Sequence, residues 1–325
     1  MYPILLKPTT KNYIWGGTRL KSEFSIESED AIVAEAWMLS CNPAGTSTIM
    51  NGPLAGMTLA DALFSELENT LGRNNAFSTF FPILIKFIDA RSDLSIQVHP
   101  GNGYALENEG GFGKTEMWYV LDAQKDAHLY YGFSRVISKD EMRKRIKNNT
   151  IIDVLNRVEV KKGDVFYIEA GTIHAIGAGV LIAEIQQNSN TTYRVYDYDR
   201  TDPEGNKREL HIEKALKVTN TAFVPDPVKA PAAAHLEGYS IARLAACEYF
   251  TVDLVSVDSY ADFYCGEQSF ASLLFIEGDG RIMFRNYDYG KDGIMDVKKG
   301  DSVFLPADTG EYRIQGMCRA LLTVR

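Results

Sequence analysis

Most of this chain is a succession of short apolar runs, and Gly, Asn or Asp lies near many of their ends. Runs of this length and composition are typical of β-strands. Many short strands with few helices favour a sandwich or barrel over an alternating α/β fold. The clearest predicted strands are residues 83–88, 94–98, 117–121, 165–168, 180–185 and 191–198.

Two segments show helical periodicity instead. "TLAD" from Thr58 places a cap and a carboxylate three residues apart, ahead of an amphipathic stretch that reaches about Leu71. "SKDE" pairs Ser138 with Glu141 in a capping box, and the predicted helix continues through "MRKRIKNN". "TIIDVLNRV" then adds another helical turn or two. We expect these charged helices to form a solvated cover inserted between barrel strands.

The chain also contains an internal repeat. "VKKGDVFYIEAGTIH" recurs 137 residues later as "VKKGDSVFLPADTGE". Gly163 and Asp164 align with Gly300 and Asp301, which predicts the same tight turn before a strand in both copies. His174, the last residue of the first copy, is replaced by Glu in the second. The repeat predicts two related β-barrels, of which only the first keeps a metal-type histidine.

The boundary between the two units is predicted from composition. "VPDPVKAPAAAH", from Val224 to His235, is rich in Pro and Ala and lacks periodicity. It predicts a linker, with a Pro-rich loop inside one domain as the alternative. A length of 325 residues, at about 100–200 per domain, also suggests two units. We therefore expect a first domain over residues 1–225, which carries the helices, and a second over 238–325.

Composition narrows the setting and the partners. The chain is 45% hydrophobic and 24% charged, as in an ordinary protein with a large core. Its net charge of -9 argues against nucleic acid or an anionic membrane as the main partner, although a local Arg and Lys cluster would still suit an anionic small substrate. No apolar stretch approaches the roughly 20 residues of a membrane span. The N-terminal apolar run is too short for a signal peptide, and the four cysteines form no CxxC pair, so we expect a reducing cytoplasm.

Four side chains suggest a metal centre. Gln97 and His99, in "LSIQVHPGN", are two residues apart and therefore share one face of a strand. Glu116 and His174 lie in further strand-like segments separated by turn-forming glycines. Two imidazole nitrogens, a carboxylate oxygen and an amide oxygen suit one divalent metal held inside a β-barrel, with one coordination position open.

Each of these residues has a simpler alternative. Glu116 would share a face with Lys114 and could be a rim carboxylate paired to it, although both roles can hold together. The alternative for Gln97 is a hydrogen bond to a neighbouring group without metal binding, because an amide is a poor metal ligand. For the other histidines we expect structural roles: His128, His211 and His235.

The segment "LIAEIQQNSNTTYRVYDYDR" carries more polar groups than a buried strand normally tolerates. Glu184 and Gln186 share one face of an otherwise apolar run, and a buried carboxylate is costly unless it is paired or functional. The next predicted strand places polar side chains on one face, which suggests further site residues. The alternative is an exposed face that carries charges without a function. These side chains are Arg194, Tyr196, Tyr198 and Arg200.

Two glycine motifs do not support nucleotide binding. "GFGKT" around Lys114 has Asn108 where a phosphate-binding loop requires its first Gly, and it leads into a strand where that loop requires a helix. "GNGYAL" from Gly101 lacks the third Gly of the dinucleotide fingerprint.

At these residues the sequence resembles the type I mannose-6-phosphate isomerases of the cupin superfamily, in their short bacterial form. The matching segments occur in the family's order and are "YIWGG", "AEAWMLS", "LSIQVHP", "GKTEMWYV", "AGTIHAIG" and Glu184 through Arg194 with "YRVYDYDR". The chain departs from the pattern at "AEAW", where family members more often have Gly-Glu-Ser-Trp, but Glu35 and Trp37 are retained.

The resemblance implies a mainly β protein of two cupin-type (jelly-roll) barrels, with a few short helices inserted in the N-terminal part. It implies one Zn²⁺, bound in the N-terminal barrel, and the interconversion of mannose 6-phosphate and fructose 6-phosphate through an enediol. The implied metal ligands are Gln97, His99, Glu116 and His174. The implied catalytic residues are Lys114, Glu184 and Arg194.

Among these, Glu184 is our first choice for the proton shuttle. Lys114 would assist ring opening or serve as the alternative base, and Arg194 would hold the enediolate or the phosphate. Two rivals are an iron-dependent cupin dioxygenase and a sugar- or metal-binding cupin without turnover. The Gln at position 97 argues against the first, and the retained polar set argues against the second. The sequence indicates no oligomeric state.

Overall fold

We describe the protein from a computed structural model that covers residues 2–65, 70–76, 80–201, 204–224, 232–286 and 291–325. The strands are β1 Ile4–Lys7, β2 Thr9–Lys11, β3 Glu35–Leu39, β4 Cys41–Asn42, β5 Gly45–Thr46, β6 Thr48–Ile49, β7 Ile83–Asp89, β8 Ile96–Val98, β9 Glu116–Ala123, β10 His128–Phe133, β11 Leu155–Glu159, β12 Val165–Ile168, β13 His174–Ile176, β14 Val180–Gln187, β15 Tyr193–Tyr196, β16 Ala234–Leu236, β17 Tyr239–Ala246, β18 Thr251–Val257, β19 Tyr260–Cys265, β20 Ala271–Asn286, β21 Lys291–Lys298, β22 Ser302–Leu305 and β23 Gly310–Val324. The helices are α1 Arg19–Phe24, α2 Leu59–Ser65, α3 Asn102–Asn108, α4 Lys139–Lys147 and α5 Ile212–Val218. Short 3₁₀ turns lie at Arg73–Asn75 and Ile151–Val154.

Two antiparallel sheets enclose the N-terminal core. One has the strand order β12-β9-β14-β7-β3-β2, and the other has the order β11-β10-β13-β8-β15. Trp118 and Ile182 of the first sheet share one buried cluster with Leu129 and Ile176 of the second, so the sheets pack face to face. The mainly β fold with a few short helices is therefore confirmed.

The first of these sheets is buried on both faces. In β7, Ile83, Ile85 and Phe87 point into a large core shared with the C-terminal part of the chain. Ile88 points into the cluster between the two N-terminal sheets, and Lys86 lies on that same face. A strand covered on both sides is expected to be almost continuously apolar, so a lysine within it must have a specific partner.

The N-terminal strand joins the C-terminal sheet. β1 pairs with β22, where Ile4 lies opposite Phe304, and β6 continues this ten-stranded sheet beyond β1. Phe81 and Phe270 pack with ring centroids 5.3 Å apart in the core that links the two parts. The two parts of the chain therefore share strands and core. Separate barrels and the boundaries at residues 225 and 238 stay predictions.

The repeated turn predicted from the sequence is confirmed. Gly163 and Gly300 have φ values of +91° and +97°, a conformation that favours glycine. In each copy the following aspartate accepts a hydrogen bond from a backbone amide three residues upstream, at 2.9 Å for Asp164 and 2.8 Å for Asp301. Glu311, the counterpart of His174, is exposed on β23.

Two predicted helical segments differ in extent from the helices of the structure. The helix at Thr58 caps as expected, since Thr58 Oγ1 accepts a hydrogen bond from the Asp61 amide at 3.1 Å. Its predicted continuation to Leu71 was wrong at the end, because Leu71 lies in a turn; residues 66–69 lie outside the described residues. Ser138 caps α4 as predicted, accepting from the Glu141 amide at 3.0 Å, but "TIIDVLNRV" forms one 3₁₀ turn and then β11.

The strand predicted over residues 191–198 was also too long. β15 ends at Tyr196 because Tyr198 and Asp199 adopt left-handed conformations with φ values of 56° and 54°. The prediction that residues from Arg194 to Arg200 alternate on one strand is therefore wrong beyond Tyr196. The predicted linker lies largely outside the described residues, which exclude 225–231. Among the described residues, no helix has both the length and the apolar character needed to cross a membrane.

Candidate active site

Two rows of side chains face each other between the N-terminal sheets. On one sheet, Gln97 lies directly opposite His174 on β13 and opposite Arg194 on β15. On the other, Glu184 lies opposite both Lys86 and Trp118. The rows meet where the His174 ring stands edge-on to the Trp118 ring, with centroids 5.3 Å apart. Strand pairing therefore brings together residues that are far apart in the sequence.

Three of the four predicted ligands form a compact buried group. The ligand atoms of His99, Glu116 and His174 all lie within 4.8 Å of one another, and each side chain is almost completely buried. Glu116 Oε1 is 3.3 Å from His174 Nε2 and 3.8 Å from His99 Nε2. Ligand atoms about 2.1 Å from a tetrahedral zinc lie about 3.4 Å apart, so this group could hold a metal ion.

The hydrogen bonds of both histidines direct Nε2 towards that group. His99 Nδ1 is 2.8 Å from the Thr191 carbonyl oxygen, and His174 Nδ1 is 2.9 Å from the Thr172 carbonyl oxygen. A carbonyl only accepts, so Nδ1 carries the proton in each ring and Nε2 presents a lone pair. Among the described residues, His99 Nε2 and Glu116 Oε1 are buried without a hydrogen-bond partner. Buried atoms that present a lone pair and have no hydrogen-bond partner fit a bound cation.

The pKa shifts at this group have the same origin. Burial lowers the pKa of His174 to about 4, and burial with the nearby Lys114 holds the pKa of His99 well below its usual range, so both rings are neutral. Burial raises the pKa of Glu116 to about 7 against the opposing effect of Lys114. A cation at the site would favour the ionised carboxylate.

Gln97 stands at the edge of this group. Its amide nitrogen is 3.4 Å from His174 Nε2, the ring nitrogen that carries a lone pair and no proton. The two ends of an amide have nearly the same shape, and a half-turn of the Gln97 side chain would place Oε1 at this position. The geometry therefore allows the amide oxygen as a ligand and also allows a simple hydrogen bond to His174.

A chain of alternating charges extends from the histidines into the sheet. Lys114 Nζ lies 2.8 Å from Glu116 Oε2 and 3.5 Å from Glu184 Oε1. Lys86 Nζ lies 3.2 Å from Glu184 Oε1 and 3.5 Å from Glu35 Oε2. With three carboxylates and two ammonium groups, the fully ionised chain has one excess negative charge, which a cation beside Glu116 would offset.

This pairing controls the carboxylate at position 184. Burial alone would raise the pKa of Glu184, but Lys114 and Lys86 outweigh it and lower the pKa to about 2. The Trp118 indole N–H also donates to Glu184 Oε2 at 3.1 Å. The charge on Lys86 is stabilised in return: burial opposes it, but Glu35 and Glu184 raise its pKa above the ordinary value.

The prediction that Glu116 pairs with Lys114 is confirmed, but a position at the rim was wrong because Glu116 is fully buried. Sequence reasoning missed Lys86 as a member of the site. Its signal was a single lysine within the apolar run "ILIKFID". A buried strand tolerates such a charge only beside partners of opposite charge.

A cavity of about 280 Å³ opens beside this chain of charges. Arg194 lines it and is held by its own contacts: Nε donates to Ser95 Oγ at 3.2 Å and Nη1 to the Glu209 carbonyl at 2.9 Å. Arg208, also missed from the sequence, lines the same cavity and donates through Nε to Asp197 at 2.7 Å. The other polar lining residues are Tyr13, Glu35, Lys86, Ser95, Gln97, Lys114, Glu184, Asn190 and Thr192. A larger groove of about 1150 Å³ lies near β1 and the C-terminal strands, and none of the predicted site residues lines it.

Comparison with known proteins identifies the family. The profile for the catalytic domain of type I phosphomannose isomerase matches residues 4–125, and the profile for the cupin domain of mannose-6-phosphate isomerase matches residues 240–324. The chain is 37% identical over 328 residues to the mannose-6-phosphate isomerase ManA of Bacillus subtilis (strain 168), covering 99% of this chain and 98% of that protein. The chain belongs to the type I phosphomannose isomerase family.

Solved structures agree with this assignment. The crystal structure of the mannose 6-phosphate isomerase from Bacillus subtilis superposes with a TM-score of 0.91 at 36% identity, covering 99% of each chain. A mannose 6-phosphate isomerase crystallised with zinc and yttrium has the same fold, with a TM-score of 0.75 at 18% identity and 99% coverage of each chain. The cupin fold and family implied by the sequence motifs are therefore confirmed.

Proposed function

We propose that this phosphomannose isomerase family member interconverts mannose 6-phosphate and fructose 6-phosphate, with one Zn²⁺ held by His99, Glu116, His174 and Gln97. The observation that carries the proposal is a buried His-Glu-His group joined through Lys114 to a second carboxylate at a cavity. The proposed substrate agrees with the names of the full-length relatives. We further propose that the enzyme works in a reducing cytoplasm, which suits its four free cysteines.

The metal proposal rests on the donor set. Two neutral imidazoles, a carboxylate and an amide suit zinc, although manganese, cobalt or iron accept the same ligands, and the related isomerase crystallised with zinc favours zinc. When bound, the ion supplies Lewis acidity towards the sugar oxygens. The excess negative charge of the buried chain and the orphaned His99 Nε2 both fit its presence.

The proton transfer is assigned to Glu184. Isomerisation requires a base that removes the proton from C2 of the open-chain aldose and returns it to C1 of the enediol. The low pKa of Glu184 keeps it ionised at neutral pH, as a base must be. A carboxylate paired with two ammonium groups is a weak base, and its basicity rises when Lys114 turns one of its protons towards a substrate oxygen. Lys114 can do so because it already lies between Glu184 and Glu116.

The phosphate is assigned to the arginine side of the cavity. Arg194 and Arg208 both line it, and a third guanidinium, that of Arg200, shares the carboxylate of Asp197 with Arg208. The carboxylates of Asp197 and Glu209 offset only part of the charge of these three guanidinium groups, which leaves excess positive charge there in a chain whose net charge is -9. Burial and the repulsion from Arg208 lower the pKa of Arg194. A dianion would relieve this repulsion, and guanidinium groups suit phosphate through paired hydrogen bonds.

A coupled isomerase assay tests the proposal. Purified protein is assayed with mannose 6-phosphate before chelator treatment, after it, and after readdition of zinc. We expect turnover that the chelator abolishes and zinc restores. Turnover that survives complete metal removal would contradict the metal assignment. Absence of turnover in the zinc-loaded protein, with oxygen uptake in a ferrous-loaded sample, would instead support a dioxygenase.

A further inference from the structure

The two glycine segments "GFGKT" and "GNGYAL", which lack a complete nucleotide-binding motif, pack against each other beside the candidate active site. A side chain at Gly113, of "GFGKT", would place its Cβ 2.5 Å from the backbone nitrogen of Asn102, of "GNGYAL". The next amide, that of Lys114, donates to the Pro100 carbonyl at 2.9 Å. Only glycine allows this approach, so the loop that carries Lys114 is fixed against the segment that follows His99.

Two side-chain amides also hold this loop. The Gly113 backbone amide donates to Asn102 Oδ1 at 2.9 Å, and the Thr115 backbone amide donates to Gln187 Oε1 at 2.9 Å. Gln187 Nε2 in turn donates to Asn102 Oδ1 at 3.0 Å. Asn102 Oδ1 therefore accepts two hydrogen bonds and joins the residues on either side of Lys114 into one network.

The side chain of Asn102 is not used by its own helix. The residue that caps α3 is Gly101, and no side chain caps that helix. The Asn102 amide nitrogen lies 3.4 Å from the Tyr249 hydroxyl in the C-terminal part of the chain. Its oxygen is directed only at the loop and at Gln187. Helix capping, the usual structural reason for asparagine at such a position, therefore does not explain this residue.

We infer that Asn102 is a positioning residue for the reaction, which acts by holding the Gly113–Thr115 backbone so that Lys114 and Glu116 keep their places relative to His99. Asn102 is not among the residues that line the cavity of about 280 Å³, and the hydrogen bonds of its side chain are to Tyr249, Gly113 and Gln187. Its effect passes through backbone amides, in the way that groups behind metal ligands tune a site. The turnover part of this inference rests on the proposed function, whereas its effect on the metal ligands does not.

The test compares three variants of the full-length protein. Asn102→Ala removes the acceptor. Asn102→Asp keeps an acceptor oxygen for both hydrogen bonds, loses the donor to Tyr249 and adds a negative charge at a half-buried position. Asn108→Ala is the matched control, because Asn108 lies at the other end of α3 and its amide donates only to the Tyr104 carbonyl. Each variant is assayed for kcat and KM and, after replacement of the metal by Co²⁺, for its visible absorption spectrum. Thermal midpoints report on folding.

We expect Asn102→Ala to lose about 10- to 100-fold in kcat with little change in KM, and to alter the cobalt spectrum. Asn102→Asp should recover most of the loss, and Asn108→Ala should resemble the wild type. An Asn102→Ala variant with normal kcat and a normal spectrum would overturn the inference, as would an Asn102→Asp variant impaired to the same degree. If the wild type has no isomerase turnover, the proposed function fails, and the cobalt spectra still decide the positioning role.

Discussion

Lys86 lies directly across paired strands from Glu184, with its Nζ 3.2 Å from Oε1 of that carboxylate. The same ammonium group lies 3.5 Å from Glu35, so it joins two buried acids on β3 and β14, the two strands that flank β7. Because both carboxylates are buried, the ammonium group of Lys86 offsets part of the cost of their charge, together with Lys114 at Glu184. Lys86 is therefore part of the electrostatics that define the candidate base, although it lies one strand away from it.

We expect Lys86→Met to shift the pH dependence of turnover. Removing a positive charge beside Glu184 raises the pKa of that carboxylate from about 2. Since the base must be ionised, the acid limb of the kcat/KM profile should move to higher pH. The buried pair also loses one partner, which costs about 3–5 kcal/mol of unfolding free energy. The measurements are the pH–rate profile and urea unfolding, with Lys144→Met on the exposed face of α4 as control. An unmoved acid limb in a folded Lys86→Met protein would contradict the role given to Lys86.

Glu184→Gln tests the proton shuttle itself. The amide keeps the shape of the side chain but cannot take up a proton, so turnover should fall by about 10²–10⁴-fold. Exchange of solvent hydrogen into fructose 6-phosphate should fall with it, while bound metal stays near the wild-type amount. Glu159→Gln, at an exposed position on β11, is the control. Near-normal turnover in Glu184→Gln would remove Glu184 as the base and favour Lys114.

The proposed metal ligands are tested by metal content. His174→Ala should lose the ion, because it removes one member of a buried three-residue group. His128→Ala should keep it, because His128 packs edge-on against Tyr130, with ring centroids 5.2 Å apart, and belongs to no such group among the described residues. The measurement is elemental analysis after dialysis. A metal-loaded His174→Ala protein would contradict the site.

Gln97→Ala separates the two roles that remain open for Gln97. If its amide oxygen binds the metal, affinity in a chelator competition should fall by at least about 10-fold. If it only hydrogen-bonds to His174, the change should be smaller than that. The distance of 3.4 Å between Gln97 Nε2 and His174 Nε2 is compatible with either arrangement.

Residue spacing predicted more of this site than of its surroundings. Gln97 and His99 reach the same site as expected, although β8 ends at Val98 and His99 follows it. The two-residue spacing that predicted this is a local rule of strand alternation. Lys86 was not predicted as a member of the site, because its partners come from β3 and β14, and pairing between strands distant in sequence leaves no local pattern.

The same distinction explains the errors in the fold. The strand predicted over residues 191–198 had suitable β-forming residues, but Tyr198 and Asp199 turn left-handed near Arg200 and Arg208, which both bind Asp197. Likewise, nothing local in "ILLK" indicates that β1 completes a sheet with β22 near the other end of the chain. In the first case the contacts around Asp197 override local strand propensity. In the second, the pairing of β1 with β22 is a contact that local propensity does not specify.

Arg194 offers a test that distinguishes its two proposed roles. Its side chain is anchored by Ser95 and by the Glu209 carbonyl, so truncation removes a fixed guanidinium from the cavity. If Arg194 binds the phosphate in the ground state, Arg194→Ala should raise KM for mannose 6-phosphate and leave kcat nearly unchanged. If it stabilises the enediolate, kcat should fall instead. Arg194→Lys should recover only part of either loss, because an ammonium group cannot form the paired contacts of a guanidinium. The measurement is steady-state kinetics beside Arg157→Ala, whose side chain is half exposed at a distance from the cavity lining. An Arg194→Ala enzyme with wild-type kcat and KM would exclude both roles.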